Sequence, residues 1–195
     1  MGKELDYGVS GVAREVKQFP YGVSGVARKM KNVWHGVSGV ARQCFASFTK
    51  GMRVSEWGNR TITYNVTSSA IGGKVSGGTT TDWAGIKIGY YNGSEKVLIP
   101  KGTIVQFSYT GTSNNSISGN CDFGCKAYNA SGTEFYTAPY DTNMTNANYT
   151  FAQDGYIEFF ANVGNTTNAN AYASISLTKF VVGGVTIFPG EVQVG

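Results

Sequence analysis

The sequence predicts an all-β protein: a 14-residue-repeat segment of extended strands or β-hairpins, followed by an antiparallel, jelly-roll-like β-sandwich. Three observations carry this. Glycine supplies 27 of the 195 residues and charged residues only 14%, while Ser, Thr, Asn, β-branched and aromatic residues are abundant; that composition favours strands and turns. From about residue 57 onward, short runs alternate apolar and polar between clusters of Gly, Asn and Ser. Before that point, one seven-residue block recurs three times at a fixed spacing. The expected division is therefore 1–56, a basic repeat segment, and 57–195, the sandwich.

The repeat comes first in the chain. Tyr7-Gly-Val-Ser-Gly-Val-Ala-Arg14 is followed by Tyr21-Gly-Val-Ser-Gly-Val-Ala-Arg28 and His35-Gly-Val-Ser-Gly-Val-Ala-Arg42. Two structures compete for it. Val9, Val12, Val16, Phe19, Val23, Val26, Met30, Val33, Val37, Val40 and Cys44 are spaced alternately by three and four, as in a coiled coil. Against a helix stand two glycines per repeat, each costing about 1 kcal/mol, and Pro20, costing about 3 kcal/mol in mid-helix. The alternative places a turn at each Ser-Gly and a strand from each Val-Ala-Arg. The glycine and proline costs tip the balance to strands, with the coiled coil as the standing alternative.

Three short repeats bury little by themselves and need a partner surface. The recurring Val9, Val23 and Val37, with Val12, Val26 and Val40, supply the apolar side of such a contact. Arg14, Arg28 and Arg42 recur in register and suit carboxylates or phosphates on the partner. Residues 1–56 hold nine Lys or Arg against four acids, whereas 57–195 hold seven against eight. The positive charge is thus concentrated where the docking is expected; the plainer reading is a solvated basic tail.

The GV-x-GVAR block, with its short basic spacer such as Lys29-Met-Lys31, resembles repeats in structural proteins of phages and prophages of Gram-positive bacteria. The resemblance covers residues 7–45 and implies a tail, baseplate or head-fibre component with a small β domain after the repeats. It implies a context rather than a chemistry. The partners it implies are other virion proteins and sister chains, a homotrimer among the options, with no nucleic acid and no membrane.

The strands of the second part follow in order. Ile62, Tyr64 and Val66 form one row, and Ile86, Ile88 and Tyr90 the next, with the glycine-rich 71–78 between them read as a flexible turn. Pro100-Lys-Gly102 turns the chain into Val105, Phe107 and Tyr109. Cys121, Phe123, Cys125 and Ala127 form another row, ended by Asn129-Ala-Ser-Gly132. Ile157, Phe159, Ala161 and Val163, then Ala173, Ile175 and Leu177, close the domain. About eight short antiparallel strands make a sandwich.

No catalytic constellation assembles from this sequence, and a non-enzyme is expected. His35, the single histidine, occupies a repeat position that is Tyr in the other two copies. Asp82, Glu95, Glu134, Asp141, Asp154 and Glu158 are scattered singly, so no carboxylate pair can be inferred. No cofactor and no metal is expected; Asp141 and Asn143 offer too few oxygens for calcium. Cys44, Cys121 and Cys125 read as reduced thiols. The opening residues lack the apolar core of a secretory signal, and no run reaches the roughly 18 apolar residues of a spanning helix. The expected location is the virion, after synthesis in a host cytoplasm. A cell-surface glycan is the expected alternative ligand, with Trp83, Tyr91, Tyr136 and Tyr140 as stacking candidates beside Asn92 and Asp141. The plainer reading of each ring is core or strand pairing.

Overall fold

The computed structural model describes residues 22–23, 26–27, 32–37, 40–46, 50–78, 81–114, 120–190 and 192–194. All regular structure among them is β. The chain divides into two compact units, Met1–Ser47 and Phe48–Gly195.

In the first unit, β1 (Gly22–Val23) pairs antiparallel with β2 (Val26–Ala27), and β3 (Asn32–Val37) with β4 (Val40–Ala46). Val23, Val26, Val37, Val40 and Arg42 fall on these strands, while Val9, Val12, Arg14 and Arg28 lie outside the described residues. The side-chain contacts expected of the repeat lie outside them as well.

The second unit contains β5 (Lys50–Trp57), β6 (Ile62–Val66), β7 (Ile71–Ser76), β8 (Ala84–Asn92) and β9 (Glu95–Lys96). It continues with β10 (Ile104–Ser113), β11 (Asn120–Asn129), β12 (Glu134–Thr137) and β13 (Met144–Thr150). β14 (Gly155–Gly164), β15 (Tyr172–Val182), β16 (Val185–Phe188) and β17 (Val192–Val194) complete it. One sheet runs β13-β10-β15-β7-β6, with β16 on β15; the other runs β12-β11-β14-β8-β5-β17, with β9 on β8. The pairings are antiparallel except that of β17 with β5, which is parallel.

The chain changes sheet at almost every long connection, which lays two sheets around one core. Alternation decides what fills it. Ile86 and Ile88, Val105, Phe107 and Tyr109, and Cys121, Phe123, Cys125 and Ala127 are all at most 2% exposed. So are Ile157, Phe159, Ala161 and Val163 on β14, and Ala173, Ile175 and Leu177 on β15. Phe159 bridges the sheets, meeting Phe107, Tyr109 and Phe180 at 5.5, 5.8 and 5.7 Å between ring centroids, at angles of 64° to 82°. Such tilted ring pairs add about 1 kcal/mol each to their area burial. A register shift opposite Ser108 and Tyr109 lets Leu177 and Phe180, three residues apart, both face inward.

Cys121 and Cys125 are free and buried, and burial pushes the Cys125 thiol up to about 12. The expected turns are present: Thr103 N–H donates to Pro100 O at 3.1 Å, and Gly132 N–H to Asn129 O at 2.9 Å.

Two expectations are corrected. The sandwich already includes β5, Lys50–Trp57, ahead of the boundary expected at residue 57, because Met52 and Val54 are fully buried in its core. The glycine-rich 71–78 is no flexible turn: Ile71–Ser76 is an interior strand, with Ile71 and Val75 buried between β6 and β15. Its glycines answer to crowding. A Cβ on Gly72 would strike the carbonyl of Ile175, and one on Gly73 that of Thr63.

Candidate functional site

The two outer faces of the sandwich differ in chemistry, and three of the four ring candidates lie on the face of the larger sheet. Cross-strand register there gives the rows Arg53–Gly89–Glu158–Lys126, Ser55–Lys87–Phe160–Gly124 and Trp57–Gly85–Asn162–Asp122. Aromatic rings lie over glycines: a side chain on Gly89 would strike Tyr91, and one on Gly164 would strike Trp83. Cations flank several of the rings. Arg53 lies 5.6 Å from the Tyr91 centroid, Lys87 5.8 Å from Trp57, Lys96 3.9 Å from Tyr156 and Lys126 5.4 Å from Tyr140.

The charges on this face are largely paired among themselves. Glu158, 5% exposed, takes Lys96 at 2.9 Å and Lys87 at 3.9 Å, and Glu134 takes Lys126 at 2.8 Å. Partial burial opposes the charge on Lys126, but Glu134 and Tyr140 outweigh it and hold the ammonium above its usual range. The Glu134 carboxyl is held low by Lys126 and by the Thr137 hydroxyl. Burial pushes the Asp122 carboxyl up, with Asp141 adding to the effect while Asn162 and Lys126 oppose it.

Of the four candidates, Trp83 (38% exposed) and Tyr140 (46%) present open rings, and Tyr91 is half-buried under Arg53. Tyr136 is turned inward instead. It pairs with buried Ala127 and stacks on Tyr149 at 3.9 Å, so it serves the core. Asn92 is exposed on β8. Asp141 is used internally, accepting from the Ser113 hydroxyl at 2.7 Å and Phe123 N–H at 3.3 Å. Among the described residues no group of three His, Cys, Asp or Glu gathers as for a metal.

The face of the smaller sheet carries a groove of about 430 Å³ that the sequence reading did not single out. Register aligns its floor as two rows across β6, β7, β15 and β10: Asn65–Gly72–Ser176–Thr110 and Thr63–Lys74–Ser174–Thr112. Thr112 and Ser174 share a hydrogen bond at 2.8 Å. Asn143 closes one side, its Oδ1 accepting from Gly111 N–H at 2.8 Å. The signal for this groove was the polar half of each alternating strand, which is ordinarily read as the wet side of a sheet.

A second depression, about 460 Å³, lies between the 129–131 turn and Gln153–Asp154. Its main acceptors are already engaged: Asn129 Oδ1 accepts from Ser131 N–H, the Ser131 hydroxyl and Thr133 N–H, and Asp154 accepts from Lys101 N–H. The groove on the smaller sheet is therefore the better candidate for binding. No protein-family model matches this chain, and none of the curated proteins compared with it is similar.

Proposed function

We propose that this chain is a non-enzymatic structural protein of a phage particle, with the repeats attaching it and the sandwich projecting or bridging as a tail, baseplate or fibre component. The observation that carries the reading is the GVSGVAR block, repeated three times at 14-residue spacing ahead of a compact β unit. Equal spacing suits equivalent sites on a symmetric scaffold, or intertwining with sister chains as in a trimer. Its partners are then other virion proteins, contacted through the recurring valines and through Arg14, Arg28 and Arg42.

Light scattering after size-exclusion chromatography, on the full chain and on residues 48–195, is the first test. An oligomeric full chain with a monomeric fragment supports a self-assembling stalk. Two monomers redirect the test to co-sedimentation of the full chain with particles, where attachment lost on changing the three arginines to Gln supports docking. A chain that neither assembles nor co-sediments overturns the proposal.

A second reading is a capsid decoration or head-fibre protein, or a receptor-recognition module that binds a cell-surface glycan. The polar groove and the open rings of Trp83 and Tyr140 favour the glycan form of it.

A further inference from the structure

We propose that the groove on the smaller sheet binds a saccharide chain bearing an acidic group, with that group seated at Lys74; this rests on the glycan-recognition reading and names its site and ligand class. Polar residues on the wet face of an antiparallel sheet are ordinary. Three features set these apart.

The first is shape. Gly72 stands between Asn65 and Ser176 in its row, and the Ile175 carbonyl lies where a side chain would begin, so the row presents backbone at that point, flanked by polar side chains. The second is unspent hydrogen-bonding capacity. Thr63, Asn65, Thr110 and Ser176 make no side-chain hydrogen bond within the described residues. Thr110 and Ser176 sit on adjacent strands about 4.8 Å apart, Asn65 two strands from Ser176 at about twice that, and Thr63 roughly 7 Å from Asn65 along β6. Hydroxyls and amides both donate and accept, as sugar hydroxyls do, so a fixed array of them meets a sugar ring at several points.

The third feature is charge. Among the described residues lining the groove, Lys74 alone is charged. It is exposed, and its ammonium rides 4.3 Å from the centroid of the Tyr172 ring. A single cation in an otherwise uncharged lining favours an anionic substituent at that point and neutral hydroxyls elsewhere. Nucleic acid would require a track of cations along its phosphates. A peptide adding a strand would pair along the free edge of β6 rather than across the sheet, and the groove runs over the faces of β6, β7, β15 and β10.

The test titrates the full chain, followed by heteronuclear NMR, with a galacturonic acid oligomer and with a neutral glucose oligomer of equal length. The acidic oligomer is expected to bind and to shift amides of β7 and β15, weakening as salt is added. Lys74→Gln should weaken it about tenfold, the loss of one charge-assisted contact. Thr110→Val with Ser176→Ala should weaken it comparably while leaving the thermal transition in place, because valine suits an exposed strand position. Trp83→Ala with Tyr140→Ala should bind as the parent does.

Acidic and neutral oligomers binding alike, with Lys74→Gln indifferent, would overturn the acidic ligand class. Binding that survives both groove variants but fails in the Trp83 and Tyr140 variant would overturn this site and leave glycan recognition standing on the other sheet. If neither oligomer shifts any amide at about 10 mM, the site is overturned. A glycan screen that is also blank would then remove the glycan reading itself.

Discussion

Asp122 shows how a single side chain can work against the fold that holds it. One carboxylate oxygen is shielded from water without a hydrogen-bond partner among the described residues, and burial raises the folded-state pKa. A carboxyl raised in the folded state ionises more readily in the unfolded chain. It therefore draws stability away as pH climbs through the ordinary aspartate range toward the raised value, and the penalty is fully present above that. Asp122→Asn should accordingly gain stability relative to the parent between about pH 3 and pH 7, with little difference at the acid end. Urea denaturation at the two pH values checks this, and a gain that does not grow with pH would refute it. Glu134 has the opposite sign: Lys126 lowers its pKa, so its contribution is present above the ordinary glutamate range and fades in acid. The fully buried Tyr109 illustrates a different constraint. Its hydroxyl is shielded from water without a hydrogen-bond partner among the described residues, beside the Cys125 thiol, and burial raises the pKa of both groups.

At the scale of elements, the edges decide how safely the sheets sit in water. β5 would be an open edge of the larger sheet if β17 did not cover it, and β17 does so in parallel register, Val192 to Met52 and Val194 to Val54. An uncovered strand with two fully buried apolar residues invites pairing with another chain. Ending the chain at Gly190 should lower the unfolding midpoint by about 1–2 kcal/mol in stability and promote concentration-dependent association, readable by calorimetry and light scattering. A truncated protein that stays monomeric with an unchanged midpoint would show that β17 is dispensable. The opposite edge is guarded differently. β12 is four residues long and carries Glu134, whose pairing with Lys126 places charge at the margin.

At the scale of the whole molecule, the second unit contains its own core, drawn from both sheets. Residues 48–195 should therefore unfold in one cooperative transition whose midpoint matches that of the full chain within a few degrees. Circular dichroism on both proteins checks this; a fragment melting far lower would show that the repeats support the sandwich. If the transitions coincide, the repeats serve attachment rather than folding, as the proposed division of labour requires. The division also separates charge. Residues 1–47 hold seven Lys or Arg against three acids, whereas 48–195 hold nine of each. Long-range attraction to an acidic partner surface would then act on the repeats and leave the sandwich nearly neutral.

The sequence by itself determined the all-β class, the core rows and the bounding turns, because strand side chains alternate with a period of two and burial follows that alternation. Phe159, Ala161 and Val163 could be placed inward from spacing alone. It determined much less about the surface. Alternation says which residues face outward, but not which strands stand side by side, so nothing in the linear order brings Thr63, Lys74, Ser174 and Thr112 into one row. Pairing across 11 to 100 residues does that. The same holds for Tyr136, whose ring looked as available as that of Tyr140 until strand pairing put it beside Ala127. Gly72 and Gly73 read as a turn because glycine permits one; the neighbouring carbonyls made them a strand, since only a residue without a side chain fits between them.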